Sequence, residues 1–168
     1  MRHDGLEWSL TVGTKCGSRP RRCRRRLSSY GVDSAANRGT AYGKKLVMLR
    51  GVLVCESLRV GEELAVPLRL EKMWRCEAAS ATAEQPRNWT LIEFTAPATE
   101  AEPLAAALSG CLSPAGGWYA DFNTDPDRFV VFAGKVFRYP RGNPAGQAEA
   151  KAYGRSVGVP EPQLDWGD

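Results

Sequence analysis

The polar side chains whose types and spacing suit chemistry are few: Glu56 beside Ser57, Glu93 inside an apolar run, Tyr119 and Asp121 two residues apart, Arg138, and Asp165 near the chain end. Two carboxylates act as general acid and base when burial separates their pKa values. An enzymatic reading therefore rests on Glu56 and Asp121, as a minor carboxylate-based enzyme. Each residue also has a plainer role, and the plainer roles carry more weight. Asp121 stabilises the turn after it or pairs with a base, Tyr119 is a half-exposed sheet aromatic, and Asp165 caps the last turn. The leading expectation is a small soluble protein-interaction or ligand-binding module. In it Glu56, Tyr119, Asp121 and Arg138 hold an unknown protein or a small anionic ligand, and no catalytic residue is assigned.

The absences narrow the chemistry further. The chain has one histidine, His3, so residues 48–168 lack the side chain most used for base catalysis, nucleophile activation and metal binding. Cys16, Cys23, Cys55, Cys76 and Cys111 contain no C-x-x-C pair. Odd in number, and with Cys55, Cys76 and Cys111 scattered among apolar neighbours, they suit reduced thiols in a cytoplasmic protein better than disulfides or zinc. Neither G-x-x-x-x-G-K-[ST] nor G-x-G-x-x-G occurs. The expectation is no metal, no cofactor and, with no apolar stretch of membrane-spanning length, no membrane.

Charge divides the 168 residues unevenly. Residues 1–47 carry eleven Lys and Arg against three acidic residues, whereas 48–168 carry twelve against sixteen. The run Arg21-Arg22-Cys23-Arg24-Arg25-Arg26 is followed by a Gly, Ser, Ala and Asn stretch without periodicity, a composition that does not repay the entropy of ordering. Residues 1–47 thus read as a disordered basic leader. It suits nucleic-acid phosphates or organelle targeting. It does not suit twin-arginine export, because SSYGVDSAANRGT after Leu27 is polar. A plainer reading starts translation at Met48, directly before the first strand-like run. The mildly acidic remainder disfavours a broad nucleic-acid face.

The elements that must position the candidate residues follow from patterning. Residues 49–55, 68–76 and 89–94 read as strands, and 77–88 as a loop. Thr99 and Glu102 have capping-box spacing, and Leu104, Ala107, Leu108, Cys111 and Leu112 form a helical stripe. Residues 118–122 alternate, with Trp118, Ala120 and Phe122 on one face and Tyr119 and Asp121 on the other. Residues 129–132 and 135–139 form a hairpin through Ala133-Gly134. Asn143-Pro144 opens a last helix that Gly158 ends, with Ala148, Ala152 and Ser156 turned inward. Leu164 and Trp166 are expected to pack back on the domain. The order β-β-β-α-β-β-β-α predicts an α+β two-layer sandwich: an antiparallel or mixed sheet with two helices on one face.

The segments WYADF at 118–122, VVF at 130–132 with KVF at 135–137, Tyr153-Gly154, Gly158-Val159-Pro160 and QLDW at 163–166 together resemble a family of small uncharacterised prokaryotic proteins. The resemblance covers most of 48–168 and none of 1–47. It implies an architecture and no mechanism.

Overall fold

The computed structural model describes residues 47–164 and Trp166. The basic leader, apart from Val47, lies outside the described residues, and so does Asp165. Six strands, β1 (Met48–Val54), β2 (Arg69–Glu77), β3 (Asn88–Pro97), β4 (Tyr119–Asn123), β5 (Asp127–Phe132) and β6 (Lys135–Pro140), form one sheet in the order β2-β3-β1-β4-β5-β6. Every neighbouring pair is antiparallel. Two helices, α1 (Ala101–Cys111) and α2 (Pro144–Ser156), complete the α+β sandwich. No helix among the described residues is long and apolar enough to cross a membrane.

The helices do not share a face, contrary to the sequence expectation. Successive strand residues point to opposite sides. On β5, Phe129 and Val131 pack with Leu104 and Leu108 of α1, whereas Val130 and Phe132 pack with Ala150 of α2. Both sides of β5 are therefore dry, and its unbroken run Phe129-Val130-Val131-Phe132 is the pattern a doubly covered strand requires. The second side continues over β1 and β3 as a smaller cluster of Val52, Val54, Trp89, Leu91 and Trp118. Trp118 thus departs from Ala120 and Phe122. It precedes β4 and lays its ring 5.2 Å from that of Trp89.

Two helix details also differ. At α1 a 3₁₀ turn, Ala98–Glu100, leads in, and the N-cap Glu100 makes no side-chain cap bond. Glu102 reaches Arg138 instead of closing a capping box. Within the stripe Ala105 is buried in place of Ala107. At α2 Asn143 caps as expected, accepting from Ala145 N at 3.0 Å and Gly146 N at 3.2 Å, but Ala148, Ala152 and Ser156 are exposed. The inward line is Gly146, Ala150 and Gly154. A Cβ on Gly146 would stand 2.5 Å from Tyr139 Cβ, and one on Gly154 would stand 2.8 Å from Leu164 Cδ2. The helix seats on β6 at glycine distance.

The tail folds back as expected. Leu164 and Trp166 are buried, and a buried amide network holds the approach to them. Gln163 Nε2 donates to Ser80 O at 2.8 Å and Gln85 Oε1 at 3.0 Å, and Gln85 Nε2 donates to Gly116 O at 2.7 Å. The loop at 78–87 is thereby tied to the chain end and to the turn before β4.

Candidate functional site

Glu56 sits on the 3₁₀ turn Cys55–Ser57 that ends β1. Its carboxylate accepts from Thr90 N at 2.7 Å and Thr90 Oγ1 at 2.9 Å, fastening the turn to β3. Ser57 is buried and donates to Val54 O at 2.6 Å. Cys55 beside them has its thiol pKa pushed up, first by burial and then by the Glu56 carboxylate. A raised pKa keeps the thiol protonated and weakly nucleophilic at neutral pH. Cys55 should therefore alkylate with iodoacetamide more slowly in the native protein than in the urea-unfolded chain. Peptide mass spectrometry checks this, and equal rates would show an activated or open thiol.

Tyr119 and Asp121 share a face of β4, but their polar atoms are engaged. Tyr119 donates its hydroxyl to Gln163 O. Asp121 Oδ2 accepts from Arg128 Nη1 at 2.5 Å, with the Arg128 side chain only 7% exposed, so Asp121 acts as the counter-charge of a buried arginine, the pairing anticipated from its surroundings. Arg138 lies on the opposite side of the sheet. It is paired across the ladder with Phe129 and bridges Asp127 at 2.6 Å and Glu102 at 2.5 Å. Those bonds, Asp127's foremost, raise its already high pKa. Glu56, Tyr119, Asp121 and Arg138 are not brought together. Glu56 is committed to β3 and Asp121 to β5, and Asp165 lies outside the described residues.

A different set does converge. A cavity of about 230 Å³ is lined by Arg50, Glu93, Asn123, Asp125 and Arg141, with Met48 and Gly51 at its wall. The sheet order makes it: β1 lies between β3 and β4, Arg50 is directly opposite Asn123, and Glu93 is opposite Val52. All four point away from α1, on the side of the sheet that also carries Asp121. Gly51, between Arg50 and Val52 in sequence, faces the α1 side instead, where a Cβ would stand 2.6 Å from both Phe94 Cζ and Phe122 Cβ. The turn that follows is fixed by Thr124, whose N–H donates to Asp127 O at 2.9 Å and whose hydroxyl accepts from Asp127 N at 3.1 Å.

Among the described residues Arg50 and Glu93 have no ion pair or side-chain hydrogen bond. Asn123 Oδ1 is buried without a hydrogen-bond partner, a condition that costs about 1–3 kcal/mol. Glu93 was visible in the sequence as a charge inside an apolar strand. Arg50 gave the same signal within Leu49-Arg50-Gly51-Val52, and Asn123 was hidden by its fitness for a turn. Two other cavities hold none of these residues. One of about 570 Å³ is lined by the 77–87 loop itself, and one of about 140 Å³ lies between Trp118, Phe132 and Tyr153. Among the described residues no group of three or more His, Cys, Asp or Glu is placed to hold a metal ion. No protein-family model, curated protein or solved structure matches the chain.

Proposed function

We propose that the protein is a small-ligand-binding module and that the Arg50, Glu93 and Asn123 groove is its site. One observation carries this reading: three polar side chains from three adjacent strands, none with a side-chain partner among the described residues, line one cavity. Burial of polar groups is tolerated when something satisfies them, and a few such groups in a concave, pre-formed wall are what a small ligand needs. The enzymatic alternative has less support. Glu56 and Asp121 are occupied by Thr90 and Arg128, and neither lines the groove.

A protein partner added to the open sheet edge has less support too. Edge strand β2 exposes Leu70 and Met73, but it has a register shift between Leu70 and Lys72 and carries Arg69, Glu71, Lys72, Arg75 and Glu77. Bulges and charges are how edges resist strand addition.

The test is a titration of ¹⁵N-labelled full-length protein with pooled small polar solutes: amino acids, carboxylates, amines, sugars and phosphates. The expected result is saturable shifts at the amides of Arg50, Glu93, Asn123 and Thr124 with at least one pool. Shifts confined to 77–87, or none from any pool, would remove the groove as a site.

A further inference from the structure

We infer that the groove takes a compact zwitterion of the α-amino acid class, rather than the small anion expected from the sequence. The inference rests on the groove being the ligand site. Its lining carries two cations, Arg50 and Arg141, and two acids, Glu93 and Asp125. A lone anion meets the two carboxylates at close range, and a lone cation meets the two guanidinium groups. A molecule bearing both charges satisfies both signs. The volume agrees, since about 230 Å³ holds about eight waters at ~30 Å³ each, or a ligand with about that many heavy atoms.

Each end of such a ligand has a matching group. The Arg50 guanidinium presents two parallel N–H donors to a carboxylate, a bidentate geometry that an ammonium lacks. Arg50 is the natural choice because it carries no other partner among the described residues. At the other end an ammonium has three donors, and Glu93 and Asn123 are the acceptors. Asn123 Oδ1 is buried and unpaired. The terminal torsion of asparagine is soft, so the amide can turn its oxygen toward an ammonium entering the cavity and recover the missing bond. The ladder sets the two ends apart, with Asn123 directly across from Arg50 and Glu93 on the far flank of β1, opposite Val52. Direct cross-strand neighbours lie about 5 Å apart at Cβ and diagonal ones about 7–8 Å, within the joint reach of an arginine, a glutamate and a ligand whose charges sit on adjacent carbons.

The experiment titrates the ¹⁵N-labelled full chain separately with L-alanine, acetate, methylammonium and inorganic phosphate. L-Alanine is expected to shift the groove amides saturably, with the three probes that carry charge of one sign only at least about tenfold weaker, the factor that loss of one charge-assisted bond brings. Arg50→Gln and Glu93→Gln should each weaken L-alanine about tenfold at an unchanged melting temperature. Both side chains are without partners among the described residues, so a folding defect is separable by that melt. Acetate or phosphate binding as tightly as L-alanine overturns the zwitterion and leaves a ligand groove. So does a response of the groove to a pooled carboxylate, amine, sugar or phosphate without one to any amino acid. Silence of the groove toward every solute overturns both readings.

Discussion

Trp166→Ala should destabilise the protein by about 3–5 kcal/mol, the usual cost of truncating a buried tryptophan and a large part of a small domain's total stability. The residue lies near the chain end, where side chains are ordinarily loose, yet it is 2% exposed. Its ring meets Tyr119 edge-on at 4.8 Å and Phe132 at 6.5 Å, and Lys151 Nζ stands 5.9 Å from its centre. Its carbonyl accepts from Gln147 Nε2 at 3.1 Å, so both the ring and the backbone clasp α2. The indole N–H is buried without a partner among the described residues, which identifies the ring's area as the stabilising element. Trp166→Phe keeps most of that area and discards the unsatisfied donor, and should cost well under half as much. Guanidinium titrations of the parent and both variants decide it. Near-equal midpoints for parent and Trp166→Ala would mean that the tail is not a latch, and Trp166→Phe as damaging as Trp166→Ala would mean that the indole nitrogen has a role.

What could be read from the sequence ends where neighbours are far apart along the chain. The order of six strands and two helices follows from local patterning, as do the Asn143 cap, the Ala133-Gly134 hairpin and the buried tail. The buried face of α2 does not. Gly146, Ala150 and Gly154 recur at i, i+4 and i+8, and so do Ala148, Ala152 and Ser156, so the helical period alone cannot choose between two small faces. Tyr139, Phe132 and Leu164 make the choice, by accepting glycine and leaving no room for Cβ. The covering of both sheet faces was encoded in the uninterrupted apolar run of β5, a signal weaker than the alternation of β4 beside it. The groove is harder still. Arg50 and Asn123 are strand neighbours only because β1 inserts between β3 and β4, a pairing that no local pattern specifies. The residues that stood out by type, Glu56, Tyr119, Asp121 and Arg138, all make structural bonds.

Gly117→Ala should rank next in effect, with a cost of about 2–5 kcal/mol from two sources that can be separated. Its φ is +65°, where an L side chain costs about 1–2 kcal/mol. A Cβ there would also stand 2.5 Å from Gly158 O, 2.7 Å from Gly158 C and 2.9 Å from Val159 N. Those are backbone atoms, which cannot rotate away as a flexible side chain does, and such overpacking costs about 1–3 kcal/mol. The collision has a wider reach than one turn. Gly158 and Val159 join α2 to the Gln163 network and Trp166, while Gly117 leads into Trp118 and β4. The side chain would force apart the two segments that bring the tail onto the sheet. Gly134→Ala supplies the control, because Gly134 has φ +71° and nothing within 4 Å of its absent Cβ. It should lose only the backbone term, about 1–2 kcal/mol. Thermal melts of the two variants should therefore place Gly117→Ala clearly below Gly134→Ala. If the two melt together, the 117–158 contact yields at no cost, and the close approach of the turn before β4 to the end of α2 is not what holds the tail in place.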